Sequence, residues 1–161
     1  MKTNKNAVSK ILTLLLAAVT LTVAAHPARA DVQVPFQGKA QGAIASVSPG
    51  PTGAVLTVLA DGYATQLGQF SREEVVLFNP DTGTLAGEVV FIAANGDQLF
   101  GNVSGGFISP TTATGDYTFT GGTGRFAKAT GTADFVLSSS DGINFSVEFE
   151  GTLSSVGSNK K

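Results

Sequence analysis

The chain has 161 residues, with ten bases, twelve acids, one histidine and no cysteine or tryptophan. An absence of cysteine excludes both a disulfide-stapled secreted domain and a lipoprotein held through a thiol, so the fold must rest on its core alone. All twelve acids lie beyond position 30, where six bases remain, and that balance of −6 argues against nucleic acid or an anionic lipid surface as a partner.

The first thirty residues read as an export signal rather than as fold. MKTNKNAVSK carries Lys2, Lys5 and Lys10 without an acid, ILTLLLAAVTLTVAA is uninterrupted and apolar or small, and Ala28-Arg29-Ala30 closes the stretch. A basic start, an apolar middle and an A-x-A exit are the parts of a secretory signal peptide, with cleavage expected between Ala30 and Asp31. The apolar run falls short of the ~20 residues of a bilayer span, which favours cleavage over an anchor. The expected product is an exported domain, 31–161, with a core over about 34–153 and a short polar tail. It would be periplasmic or extracellular and free of the membrane once cleaved.

From Asp31 onward the sequence alternates strand and turn, with no helical stripe. Turn signals fall at 48–53 (SPGPTG), 79–83 (NPDTG), 94–97 (ANGD), 109–116 (SPTTATGD), 121–124 (GGTG) and 139–142 (SSDG). Pro-Gly, Asn-Gly and Asp-Gly pairs supply the backbone angles that close hairpins. The strands predicted between them lie near 34–47, 54–66, 69–78, 84–93, 98–108, 115–120, 130–138 and 143–153, provided Leu67-Gly68 divides the second from the third.

The last strand shows the pattern most clearly. Ile143, Phe145, Val147, Phe149, Gly151 and Leu153 share one face, while Asn144, Ser146, Glu148, Glu150 and Thr152 share the other. Such alternation means one dry face and one wet face. Leu99, Val103 and Phe107 repeat it in the fifth strand. Eight consecutive antiparallel strands avoid exposed edges by closing, so the expected fold is all-β, an up-and-down, calycin-like barrel. A two-sheet sandwich is the alternative. Glycines 38, 42, 87, 101 and 105 would provide bends and room for large neighbours inside a small barrel. With no tryptophan and only Tyr63 and Tyr117 to form membrane girdles, the barrel is expected to be soluble rather than of the outer-membrane kind.

The stretch FTGGTGRFAKATG, 119–131, is the most distinctive in the chain. Gly122-Thr123-Gly124-Arg125-Phe126-Ala127 satisfies the G-x-G-x-x-A dinucleotide pattern. That pattern needs a following helix within a βαβ unit, whereas Lys128-Ala129-Thr130-Gly131-Thr132 is short and rich in glycine and threonine. A calcium-binding glycine repeat fails as well, because Phe126 stands where the aspartate is needed. Gly121, Gly122 and Gly124 are therefore read as a structural corner and Phe126 as its anchor.

GGTGRFAKATG resembles a motif of the allene oxide cyclase and dirigent proteins, which share an eight-stranded antiparallel barrel. The segment Ala64-Thr65-Gln66-Leu67-Gly68-Gln69-Phe70 is similar to the A-T-H-L-G-x-F of uncharacterised exported bacterial proteins in that superfamily, with Gln66 in place of the histidine. The resemblance spans most of 36–153. It implies the fold and a phenylalanine packed back on the barrel; the family's acidic, aromatic and cysteine pocket residues find no position-by-position counterpart.

The reactive inventory is sparse. His26, the single histidine, belongs to the expected leader, so the mature domain lacks a Ser-His-Asp or Cys-His arrangement and the common zinc ligands. Glu148 and Glu150 lie about 6.5–7 Å apart along one strand, a glycosidase-like spacing, but their alternates form the apolar face, which places them outside. Arg72, Glu73 and Glu74 are read as exposed charge at a strand start. Asp61, Asp81, Asp97 and Asp141 sit beside turn residues and are read as turn formers, not metal ligands. Asn102 and Asn144 begin N-x-S glycosylation patterns but fall in strands.

Phe91, Leu99, Phe107, Phe145 and Phe149 are the candidates to line the barrel. Arg125 is the candidate polar contact, against the plainer reading that it pairs with an acid or with turn carbonyls. No metal, cofactor or catalytic residue is expected. Two functions remain open: a non-enzymatic exported barrel that binds a small apolar ligand or serves as a structural module, and a cofactor-free isomerase or cyclase acting on a hydrophobic small molecule. Association into a homo-oligomer is left open by the sequence.

Overall fold

The computed structural model describes residues 32–154; the expected leader, the Ala30–Asp31 cleavage site and the C-terminal tail lie outside the described residues. Eight strands follow in order: β1 (Gln33–Gly50), β2 (Gly53–Ala64), β3 (Gly68–Asn79), β4 (Thr84–Ala93), β5 (Gln98–Ser109), β6 (Thr112–Gly122), β7 (Gly131–Ser138) and β8 (Asn144–Ser154). Each pairs antiparallel with the next, and β8 pairs back on β1 from Gln33↔Ser154 to Ala43↔Asn144. The sheet is a closed barrel, and closure leaves no edge strand to be protected.

Period-two patterning sorts the side chains. β8 buries Phe145, Val147, Phe149 and Leu153 and exposes Asn144, Ser146, Glu148, Glu150 and Thr152. The apolar face points inward around the whole barrel, whereas Lys39, Asp61, Glu73, Glu88, Asp134, Glu148 and Glu150 are exposed. Among the described residues no helix is long and apolar enough to cross a membrane.

Two boundaries differ from the sequence-based expectation. β6 starts at Thr112, not near 115, because the turn before it is only Pro110-Thr111 and the threonines after it pair across to β7 as far as Thr112↔Ser138. β1 runs on to Gly50 through a bulge between Ile44 and Ser46, which lets one long strand bend with the barrel. The break between β2 and β3 falls at 65–67, ahead of Gly68.

An eight-stranded barrel has room for its own side chains or for one small ligand, and the two ends use that room differently. Around the turns at 65–67, 94–97 and 123–130, five phenylalanines fill the interior. Phe91 is the hub: its ring lies 5.4 to 6.2 Å from those of Phe36, Phe70, Phe119 and Phe149. Phe36 stacks on Phe149 at 5.3 Å and meets Phe119 edge-on at 5.0 Å. The bulk fits partly because Gly38 lacks a Cβ, which would lie 2.7 Å from the Phe149 ring.

The glycine-rich corner closes this end from outside. Gly124–Phe126 forms a single 3-10 turn, and the Phe126 ring is fully buried in the core. Gly124 has φ +53, a left-handed conformation, and Asp97 occupies the space a side chain would need. Gly122 does not have positive φ; it is needed because the Gln98 carbonyl oxygen approaches its Cα too closely for a Cβ.

Candidate functional site: a half-hollow barrel with a buried charge cluster

At the opposite end, around the turns at 51–52, 80–83, 110–111 and 139–143, the interior is not filled. A cavity of about 90 Å³ opens there, walled by aliphatic and aromatic side chains that include Val58, Val76, Val103, Phe135, Leu137 and Phe145. Phe107 and Ile143 stand at its mouth, 43% and 57% exposed. Phe107 also packs edge-on against Phe78 at 5.6 Å.

Three polar residues line this cavity: Ser139, whose hydroxyl is already bonded to the Asn144 carbonyl and the Gly142 amide, and two deeply buried side chains, Glu74 from β3 and Tyr117 from β6. Arg72 lies beneath Glu74 and Tyr117, between the hollow and the phenylalanine plug. These last three are buried: Arg72 is 1%, Glu74 7% and Tyr117 1% exposed. Arg72 Nη1 donates a 2.6 Å hydrogen bond to the Tyr117 hydroxyl. Arg72 Nε lies 3.4 Å from Glu74 Oε1, an ion pair without hydrogen-bond alignment. The guanidinium also sits 5.6 Å from the centre of the Phe145 ring and 5.9 Å from that of Tyr117, within cation–π range.

The cluster arises from the same alternation that builds the core. Phe70, Arg72, Glu74 and Val76 are consecutive inward positions of β3, and Tyr117 occupies an inward position of β6. Reading 72–74 as exposed charge at a strand start is therefore incorrect for two of the three residues. β3 begins at Gly68, so Arg72 and Glu74 are mid-strand and inward, and only Glu73 faces solvent.

Burial sets the electrostatics. Loss of solvent raises the proton affinity of the Glu74 carboxyl above its usual value, against the pull of Arg72 and a hydrogen bond with Tyr117. Burial likewise pushes the Tyr117 phenol far above its ordinary range, so it stays protonated as a hydrogen-bond donor. Arg72 Nε, Arg72 Nη2 and Glu74 Oε1 are buried without hydrogen-bond partners. Taking charges into an apolar interior costs several kcal/mol per ion, and well-packed apolar substitutes of similar volume often equal or exceed the stability of such a pair. A buried ion pair that is poorly aligned, beside an Arg72 Nη2 without a partner, is a poor device for stability. Chemically, it can hold an oxygen-bearing group or move a proton at Glu74.

The sequence-based candidates separate between the two ends. Phe107 and Phe145 line the cavity, whereas Phe91, Leu99 and Phe149 point inward but belong to the packed half. Arg125 is remote from the hollow. Its Nη2 donates to the Leu67 carbonyl at 3.4 Å, its Nε lies 4.0 Å from Asp97 Oδ2, and its guanidinium covers the Phe126 ring at 4.8 Å. Glu148 and Glu150 are exposed on the outer face. Asp141 is a turn former: its carboxylate accepts from the Ile143 and Asn144 amides and the Asn144 side chain, which lowers its pKa to about 2. Among the described residues no group of acids and histidines is placed to hold a metal ion. A larger concavity of about 730 Å³ is an open groove across the outside of β1, β7 and β8, and its charged residues Lys39, Asp134, Glu148 and Glu150 are all solvated.

No protein-family model matches the sequence, and no curated protein matches it. Among solved structures, the chain is similar to a pterocarpan synthase dirigent protein, with a TM-score of 0.55 at 14% identity over 76% of this chain and 86% of that one. The fold is a dirigent-like eight-stranded barrel.

Proposed function

We propose that this protein is an exported, soluble barrel that binds a small, largely apolar molecule through its open end, with Glu74 and Tyr117 meeting the polar part of that molecule. The observation that carries this reading is an unfilled apolar cavity lined by two deeply buried polar side chains, Glu74 and Tyr117. Small-molecule sites are concave and mostly apolar, with a few convergent polar groups that fix orientation. The leader pattern supports export, and the charged outer face supports solubility. Binding without catalysis remains the primary reading.

A second reading is favoured by one specific feature, the raised proton affinity of Glu74 in an apolar wall. Perturbed carboxyls of this kind serve as general acids, so a cofactor-free isomerase or cyclase of the allene oxide cyclase type is the alternative. In it, Glu74 would lend and recover a proton while the barrel confines a reactive substrate.

Native mass spectrometry of the protein purified from its own host tests the primary reading. A retained small molecule is expected, and it should be lost in Ala113→Leu, which adds bulk to a fully buried wall position. Mass spectra showing only bare protein, together with no change in melting temperature across a panel of small apolar compounds, would contradict it.

A further inference from the structure

We infer that the open end selects a slender molecule carrying a hydroxyl, an uncharged hydrogen-bond donor, over a ketone, a carboxylate or an amine of similar size. This inference rests on the proposed binding role and specifies its chemistry.

Size gives the first constraint. A volume of about 90 Å³ lies below the ~150 Å³ of an apolar cavity that accepts benzene. A short chain or branched tip suits it, with the remainder resting against Phe107 and Ile143 at the mouth.

The balance of donors and acceptors gives the second. Polar hydrogens on the wall are already committed. The Tyr117 hydroxyl donates to Glu74 while its oxygen accepts from Arg72 Nη1. The Ser139 hydroxyl donates to the Asn144 carbonyl at 2.7 Å and accepts from the Gly142 amide. At the mouth, the Phe107 amide bonds to the Gly83 carbonyl and the Ile143 amide to the Asp141 carboxylate. Pro110 brings no amide hydrogen. Arg72 Nη2 is buried without a partner but does not line the cavity.

Acceptor capacity is what remains. A carboxylate offers two oxygens and about four lone-pair sites. Glu74, which does line the cavity, meets Arg72 Nε at 3.4 Å and accepts from Tyr117, and its other sites can serve a donor brought by the ligand. A hydroxyl fills that place. A ketone brings an oxygen that finds no free hydrogen, and a buried acceptor left unpaired is penalised. A carboxylate has the same defect and adds like charge beside Glu74. An ammonium can donate, but Arg72 already balances the Glu74 charge, so the amine would bring an uncompensated cation into an apolar wall.

The test titrates the intact protein at pH 7.5 with 2-hexanol, 2-hexanone, 2-aminohexane and hexanoate, followed by NMR. The alcohol should bind most tightly, and about tenfold more tightly than the ketone, the scale of one buried oxygen left unpaired. Glu74→Gln places an amide donor on the wall and should narrow that gap by favouring the ketone. Glu74→Leu should abolish the gap, with thermal melts confirming that both variants fold. The rank order on the wild-type protein stands without any variant. Equal or tighter binding of the ketone, the amine or hexanoate overturns the inference while leaving a binding role intact. A gap that persists in folded Glu74→Leu overturns it as well, because the acceptor would lie elsewhere. Failure of all four probes to bind sinks the inference and the binding role together.

Discussion

The two ends of the barrel are built from the same strands, yet one is a solid and the other a vessel. At the plugged end, the buried rings of Phe36, Phe70, Phe91, Phe119 and Phe149 interlock, and Phe126 closes the corner. At the open end the inward positions carry smaller side chains such as Val58, Val76 and Val103, and about 90 Å³ stays unfilled. Arg72, Glu74 and Tyr117 mark the boundary. Burying a phenylalanine contributes about 1.5–3 kcal/mol, and edge-to-face pairs add about 0.5–1.5 kcal/mol each. The plug therefore contributes strongly to stability, whereas the charge cluster beside it carries a desolvation penalty. On the proposed reading, stability and binding occupy different halves of one cylinder.

The sharpest way to break this division is to truncate equivalent rings in the two halves. Phe91→Ala removes the hub of the plug and should lower stability by about 3–5 kcal/mol. Phe107→Ala, at the half-exposed mouth, should cost about 1 kcal/mol, in proportion to the smaller area it buries. Urea melts of both variants measure the contrast, and comparable losses would mean that the mouth is part of the core.

The boundary comes next. Arg72→Met at pH 7 should cost about 3 kcal/mol, because Glu74 is left as an uncompensated buried carboxylate. The loss should shrink as pH is lowered and Glu74 takes up a proton. Arg72→Met combined with Glu74→Leu should recover most of the loss, and a double variant no more stable than the single one would show that the ion pair itself supports the fold.

Within the glycine corner, Phe126→Ala should cost about 3–5 kcal/mol as another large buried ring. Arg125→Ala should cost about 1 kcal/mol or less, since its side chain is about a third exposed and its ion pair with Asp97 is long. The reverse order in denaturant melts would make the arginine the keystone of that corner.

The smallest effects concern pH. Asp141 and Asp97 have lowered values in the folded chain, so their contributions are present above the ordinary aspartate range near 3.8 and fade as pH falls, for Asp141 through about 2. Glu74 has the opposite sign. Its folded value is raised from 4.5, so the folded state holds the proton more tightly and stability declines as pH climbs above about 4.5. Thermal melts against pH should show a smaller acid limb in Asp141→Asn, with the Asp97 part remaining, and lose the decline above 4.5 in Glu74→Gln.

How far each half is legible in the sequence follows from what its residues signal. Strict alternation in β8 and the turn pairs around β4, whose span of 84–93 matches the sequence pattern, make the barrel readable. The glycine corner is readable because few arrangements suit GGTGRF. The start of β6 is not, since Thr111-Thr112-Ala113-Thr114-Gly115 has the composition of a loop and becomes strand only through pairing with its neighbours. Arg72 and Glu74 mislead for a different reason. Charged residues are seldom buried, so the strong general tendency outweighs the local signal, which is the inward series Phe70, Arg72, Glu74, Val76 in the correct period. Even with that series in hand, the contact with Tyr117 forty-five positions away is a property of barrel closure and cannot be read from either strand alone.

The central claim, that one end is a binding chamber and the other a plug, is tested most directly by methyl-resolved NMR during titration with 2-hexanol. Signals from Leu56, Val58, Val76, Leu85, Val103 and Leu137 around the hollow should shift in a saturable manner, while those of Leu67, Leu99 and Leu153 in the plugged half stay in place. Saturable shifts confined to the plugged half, or spread along the outer groove beside Val136, would contradict it.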